Sequence, residues 1–151
     1  MSIENRLTEL GITLPDAPAP AANYVPFVQT GNLVFISGQI SQNEAGLITG
    51  KLGDSMSVEQ GAEAARRCGL ALIAQLKAAI GDLDRVKRVV KLTGFVNSTP
   101  DFIEQPKVVN GCSDLMVQVF GDAGRHARAA VSAPSLPLGV SVEIEAVFEI
   151  A

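Results

Sequence analysis

An arginine set among small apolar residues, and a glutamate fifteen residues after it, are the side chains of this sequence with the clearest chemical potential. Arg128 lies in the middle of Ala127-Arg128-Ala129-Ala130-Val131. A guanidinium in such a run cannot shed its charge and must find an anion. Glu143 falls on the polar face of an alternating C-terminal run. On residue types alone two readings stay open. One is an ion pair, across a sheet or at a subunit contact. The other is a fork that takes a substrate carboxylate bidentately, beside a carboxylate that handles protons or water.

Other chemistries find little support. A metal site wants clustered His, Cys or carboxylates, whereas His126 is the single histidine and Cys68 and Cys112 stand 44 positions apart. There is no P-loop, no Gly-x-Gly-x-x-Gly after a strand and no Gly-x-Ser-x-Gly elbow. A single histidine with no evident nucleophile beside it argues against a Ser-His-Asp triad. Cys112 sits inside a helical apolar stripe and reads as core rather than nucleophile.

Composition narrows the setting. The chain has 151 residues, 47% of them hydrophobic and 19% charged, which is enough apolar material for one domain spanning residues 1–151 and too much for a disordered chain. Two cysteines cannot staple a domain of this size. With 12 basic against 16 acidic residues the net charge is −4, so no general attraction to nucleic acid is expected. Arg125, His126 and Arg128 form one short basic run, which reads as a cleft or a solvated edge. The first residues carry no signal-peptide pattern, and no apolar stretch nears the roughly 18 residues of a membrane span. The expectation is a soluble, cytoplasmic protein with reduced thiols and no membrane partner. So much apolar residue beside so few charges also points to an oligomer.

The elements that must position Arg128 and Glu143 follow from periodicity. Residues 3–10 form a short helix, and Pro15 to Pro20 an extended stretch; residues 1–22 read as an N-terminal extension. Tyr24 to Ile40 form a hairpin around Thr30-Gly31-Asn32, with Gly and Asn supplying positive φ. Its second strand, Leu33 to Ile36, is apolar on both faces and so is expected to be buried on both. Residues 41–54 read as a long loop. A helix spans 58–80, opened by a Ser57/Gln60 capping box and ended by Gly81, with Gln75 among its polar positions. A strand follows over 86–96, a helix or turn over 100–105, and a helix from Pro106 to about Phe120, closed by Gly121. Strands are expected over 127–133 and 140–150, the latter pointing Val142, Ile144, Ala146 and Phe148 one way and Glu143, Glu145 and Glu149 the other. The order ββ-α-β-α-ββ describes an α+β domain, two main helices packed on one face of a mixed sheet.

Several of these blocks, in this order, resemble the RidA (YjgF) family of reactive-intermediate deaminases. They are Tyr24 with Val28-Gln29, Gly31-Asn32, Ile36-Ser37-Gly38-Gln39, Phe95-Val96, Asp101-Phe102, Val109-Asn110, Ala127 to Val131, Leu136-Pro137 and Val142 to Ala146. The resemblance implies a chorismate-mutase-like fold, a homotrimer, and ligand clefts between subunits. It implies hydrolysis of 2-imino acids to 2-keto acids and ammonia without cofactor or metal. Arg128 would then clamp the substrate carboxylate and Glu143 position the water. Tyr24, Ser37 and Asn110 would line the cleft, Gly38 would let backbone approach the ligand, and the main chain at Ala130 would contact it. Each has a structural alternative: Tyr24 at the core edge, Ser37 bonded to nearby backbone, Asn110 as a helix hydrogen-bonder. Family members often carry Cys where this chain has Ala130, and the 103–107 stretch and N-terminal extension suggest a divergent subgroup. A non-catalytic trimer that binds small carboxylates is the alternative function; endoribonuclease activity fits the acidic composition less well.

Overall fold

The protein was analysed as a computed structural model, which describes residues 1–20 and 22–151. In chain order it forms α1 (Ile3–Glu9), β1 (Phe27–Thr30), β2 (Leu33–Ile40), β3 (Gln42–Asn43), β4 (Gly46–Leu47), α2 (Val58–Ile80), β5 (Val86–Asn97), α3 (Gln105–Phe120), β6 (Ala127–Ala133) and β7 (Val142–Ile150). Five strands make one mixed sheet in the order β1-β2-β7-β5-β6. Its pairings are antiparallel except β5 with β6, which run parallel and are joined by the crossover helix α3. The α+β reading therefore stands, with α2 and α3 as its two main helices and the short α1 as a third.

The alternation of β7 does what its sequence dictates. Val142, Ile144, Ala146, Phe148 and Ile150 are buried beneath the helices, and Glu143, Glu145 and Glu149 lie on the opposite face. Leu72, Leu76 and Met116 meet this face from above, and Phe120 approaches Phe148 edge-on with centroids 6.4 Å apart. Helix α2 has the expected Ser57/Gln60 capping box and ends at Gly81, whose φ is +80°.

The two helices approach closely at Gly111. A Cβ built there would overlap the Ala62 carbonyl of α2, and backbone cannot step aside as a flexible side chain can. Gly111→Ala should cost about 1–3 kcal/mol despite alanine's better helix propensity. Urea denaturation measures this directly, and an unchanged midpoint would mean that the helices separate freely.

The structure corrects four local expectations. In the hairpin turn only Gly31 has positive φ (+59°) and Asn32 does not, the glycine-first pattern of a II′ turn. Residues 41–54 are not a plain loop, because Gln42–Asn43 and Gly46–Leu47 pair as a small hairpin. The last strand starts at Val142 rather than Val140, since Pro137–Gly139 form a 3₁₀ turn before it. Leu33 to Ile36 are not buried on both faces: Val34 and Ile36 are, but Phe35 is 43% exposed on the side away from the helices. Val131 on β6, also 43% exposed, continues the same uncovered apolar face.

Candidate functional site

Arg128 stands on β6, an edge strand, level with Leu92 of β5, and so points toward the helix layer. Three neutral oxygens of α3 hold the guanidinium. Nη1 donates to Asn110 Oδ1 at 2.9 Å and to Ser113 Oγ at 3.0 Å, and Nη2 donates to the Pro106 carbonyl at 3.3 Å. Asn110 and Ser113 lie three residues apart on α3 and so share a face. A guanidinium has five N–H donors; these bonds engage three of them and leave two for an incoming anion. Among the described residues no carboxylate forms an ion pair with Arg128.

The lone histidine belongs to this cluster. His126 Nδ1 lies 2.6 Å from the Gly124 carbonyl, which can only accept, so Nδ1 carries the proton. In the neutral ring Nε2 is then an acceptor for the Ser113 hydroxyl, 2.9 Å away. Ser113 thereby turns its remaining lone pairs toward Arg128, and the chain His126–Ser113–Arg128 fixes the guanidinium plane. Sequence reasoning gave Asn110 but missed Ser113; the signal for it was the three-residue helical spacing.

Glu143 lies elsewhere. On β7 it sits between Ile40 and Phe95, on the sheet face away from the helices. Its carboxyl is pushed above the usual carboxylate range, first by burial and then by the charge of Glu145. The register of β2 slips between Ile36 and Gln39, and this bulge turns Gly38 toward Glu143. A Cβ at Gly38 would overlap the carboxylate, so the missing side chain is what gives Glu143 its place.

Around Glu143 lies a cleft of about 430 Å³. Gly38, Gln39, Gln75 and Glu143 contribute its polar wall, and Tyr24, Pro18, Pro20 and Leu138 its rim. Leu138 holds φ at +61°, a left-handed conformation that costs a non-glycine residue roughly 1–2 kcal/mol, and is 67% exposed there. Ser37 does not line the cleft; its hydroxyl donates to the Val25 carbonyl at 2.7 Å and so holds the segment that carries Tyr24. Ala130 packs toward the helix layer beside Arg128, on a strand whose outer backbone edge is unpaired. Gln75 corrects the sequence reading, since it is only 2% exposed rather than on the helix's polar side.

The candidate residues thus separate into two groups. Arg128, Asn110 and Ala130 gather at the edge strand and α3; Tyr24, Gly38 and Glu143 gather at the cleft beside the β2 bulge, which Gln75 of α2 also walls. No ion pair joins Arg128 to Glu143 among the described residues, so an intrachain pair across the sheet is not found. The two thiols are buried; burial pushes Cys112 up to about 12 and Cys68 also well up, so neither is a ready nucleophile. Among the described residues no helix is long and apolar enough to cross a membrane.

Comparison with known proteins aligns with this architecture. Residues 4–149 match a family model described as "YjgF/chorismate mutase-like, putative endoribonuclease". The chain is 53% identical over 146 residues to protein TCP17 of Trypanosoma cruzi, covering 95% of this chain and 91% of that one. It is 31% identical over 138 residues to a 2-iminobutanoate/2-iminopropanoate deaminase of Dermatophagoides farinae, covering 90% and 92%. The crystal structure of the protein Atu1372 from Agrobacterium tumefaciens, whose function is described as unknown, superposes with a TM-score of 0.91 at 50% identity, covering 99% of this chain and 92% of that chain.

Proposed function

Because the chain belongs to the YjgF/chorismate-mutase-like family, we propose that it is a hydrolase of 2-imino acids whose sites are completed between copies of itself. The observation that carries this reading is the state of Arg128. It is half-buried, oriented by three neutral oxygens, and has no carboxylate partner among the described residues. A positive charge held this way is a receptor for an external carboxylate. Relatives named as 2-iminobutanoate/2-iminopropanoate deaminases supply a substrate class that carries one.

The uncovered apolar face supports assembly. Phe35, Val28 and Val131 leave it exposed in the single chain, a patch that a second copy would bury. Arg128 and Glu143 lie on opposite faces of the sheet, so one chain does not present both to a small substrate. A ring of copies would bring the Arg128 group of one beside the Glu143 group of the next. A trimer, as the family resemblance implies, is the proposed form.

The chemistry asked of such a site is modest, because an imine carbon is already electrophilic. Arg128 holds the substrate carboxylate and so fixes the imine carbon. Glu143, its carboxyl raised by burial, accepts a proton from water as the water oxygen bonds to that carbon. The C=N π pair moves to nitrogen, which takes the proton from Glu143. The carbinolamine hydroxyl then gives its proton to Glu143, which passes it to the amine; the freed oxygen pair forms the C=O bond as the C–N bond breaks, releasing ammonia and the 2-keto acid. One water is consumed per ammonia formed.

The test is direct. 2-Iminobutanoate and 2-iminopropanoate are generated in situ and trapped with semicarbazide, and loss of trapped product is followed as protein is added. Acceleration with matching release of 2-keto acid is expected. Binding of the keto acid without any acceleration would replace the hydrolase reading with that of a carboxylate-binding protein.

A further inference from the structure

Helix α2 carries one amide where its neighbours are apolar. Gln75 lies between fully buried Leu72 and Leu76, and burying an amide is costly unless its hydrogen bonds are made. Its Nε2 donates to the Pro18 carbonyl at 2.6 Å and stands 3.4 Å from Gln39 Oε1, while Gln39 Nε2 donates to the Ser37 carbonyl at 2.9 Å. Among the described residues, the Gln75–Pro18 bond is the one hydrogen bond that ties residues 13–20 to the rest of the chain.

That extended segment runs between two cavities. On one side is the 430 Å³ cleft that holds Glu143, walled by Pro18 and Pro20. On the other is a cavity of about 440 Å³ beside Arg67 and Leu70, walled by Leu14, Pro15 and again Pro18. A strap with open space on both sides takes its position from the few contacts it makes. Proline fixes its backbone shape without spending an N–H.

We infer that the Pro18–Pro20 strap is the side wall that limits the size of the substrate's side chain, and that Gln75 is the positioning residue that holds it. The inference rests on the proposed imine-hydrolase reading for the nature of the substrate. The strap sets how much side-chain bulk fits beside Glu143, so imines of alanine or 2-aminobutyrate are preferred over branched or aromatic ones. Gln39 passes the constraint on, since its amide links Gln75 to the bulge that aims Gly38 at Glu143.

Gln75→Met keeps length and volume but removes the donor. Imines made from alanine and from leucine by an amino-acid oxidase are compared as substrates of wild type and variant. The leucine-to-alanine ratio of kcat/KM should rise about tenfold or more, the scale on which a pocket discriminates small apolar differences. The change should appear mainly in KM. Gln75→Glu provides the conservative rescue and a second variant if the first does not fold. Protonated, its carboxyl can donate to Pro18, so discrimination should return at low pH and fade as pH rises. If wild type turns over neither imine, the hydrolase reading fails on its own; the strap is then judged by calorimetric binding of 2-oxobutanoate against 4-methyl-2-oxopentanoate. A size ratio unchanged in both variants, in turnover or in binding, overturns the strap's role.

Discussion

Arg128→Ala should lower kcat/KM toward 2-imino acids by about 10²–10³-fold, with a melting temperature close to wild type. The magnitude follows from losing a charge-assisted fork to a carboxylate in a partly desolvated site. The fold should survive because, among the described residues, the Arg128 side chain bonds only to Asn110, Ser113 and the Pro106 carbonyl, groups that water can reach once the side chain is gone. Arg128→Lys should recover little. An ammonium can restore the charge but cannot span Asn110, Ser113 and Pro106 while offering two parallel donors outward. Steady-state kinetics with trapped imine decide the matter, and full activity in Arg128→Ala would remove the carboxylate clamp from the mechanism.

Glu143→Gln should produce the second large effect, and in two directions at once. Turnover should fall by about 10²–10³-fold, the usual worth of a positioned proton acceptor. Stability at neutral pH should rise. The folded state raises the Glu143 pKa through burial and the nearby Glu145 charge, so folding favours the protonated carboxyl. Such a group contributes its full stability below its unfolded pKa and loses it as pH rises through the folded value. Glutamine stays neutral throughout. The variant's gain in melting temperature should therefore be present near pH 7–8 and vanish below about pH 3.5, under the unfolded glutamate's pKa of roughly 4.3, where it is protonated in both states. A stabilised but inactive protein is what a site under electrostatic strain yields. A melting temperature that falls equally at both pH values would assign Glu143 a structural role instead.

Much of this arrangement could be read from residues before any coordinates. The capping box at Ser57 and Gln60, the glycine stops at Gly81 and Gly121, and the alternation along β7 are local signals; the helices end where those signals put them, and β7 keeps its alternation although it starts two residues later than expected. Family likeness pointed to Arg128 and Asn110 separately; the bond between them comes from the helix-facing register of β6. Other features were illegible because they depend on distant contacts. Gln75 looks like any polar helical position until Pro18 arrives from 57 residues away to bond it. Ser113 and His126 acquire meaning only when α3 folds back over β6. Leu33 to Ile36 carry a signal for burial on both faces, but one chain supplies a cover for only one of them.

The placing of Arg128 and Glu143 on opposite faces of one sheet has a genetic consequence. In the proposed trimer each site draws its arginine from one copy and its glutamate from the next. A copy bearing Arg128→Ala still offers an intact glutamate, and one bearing Glu143→Gln still offers an intact arginine. Any ring containing both kinds has one junction where the two intact halves face each other. Equal amounts mixed at random would place both kinds in about three quarters of the rings, restoring about a quarter of wild-type activity from two inactive proteins. Two defective alleles would then complement each other, whereas two copies of either one would not.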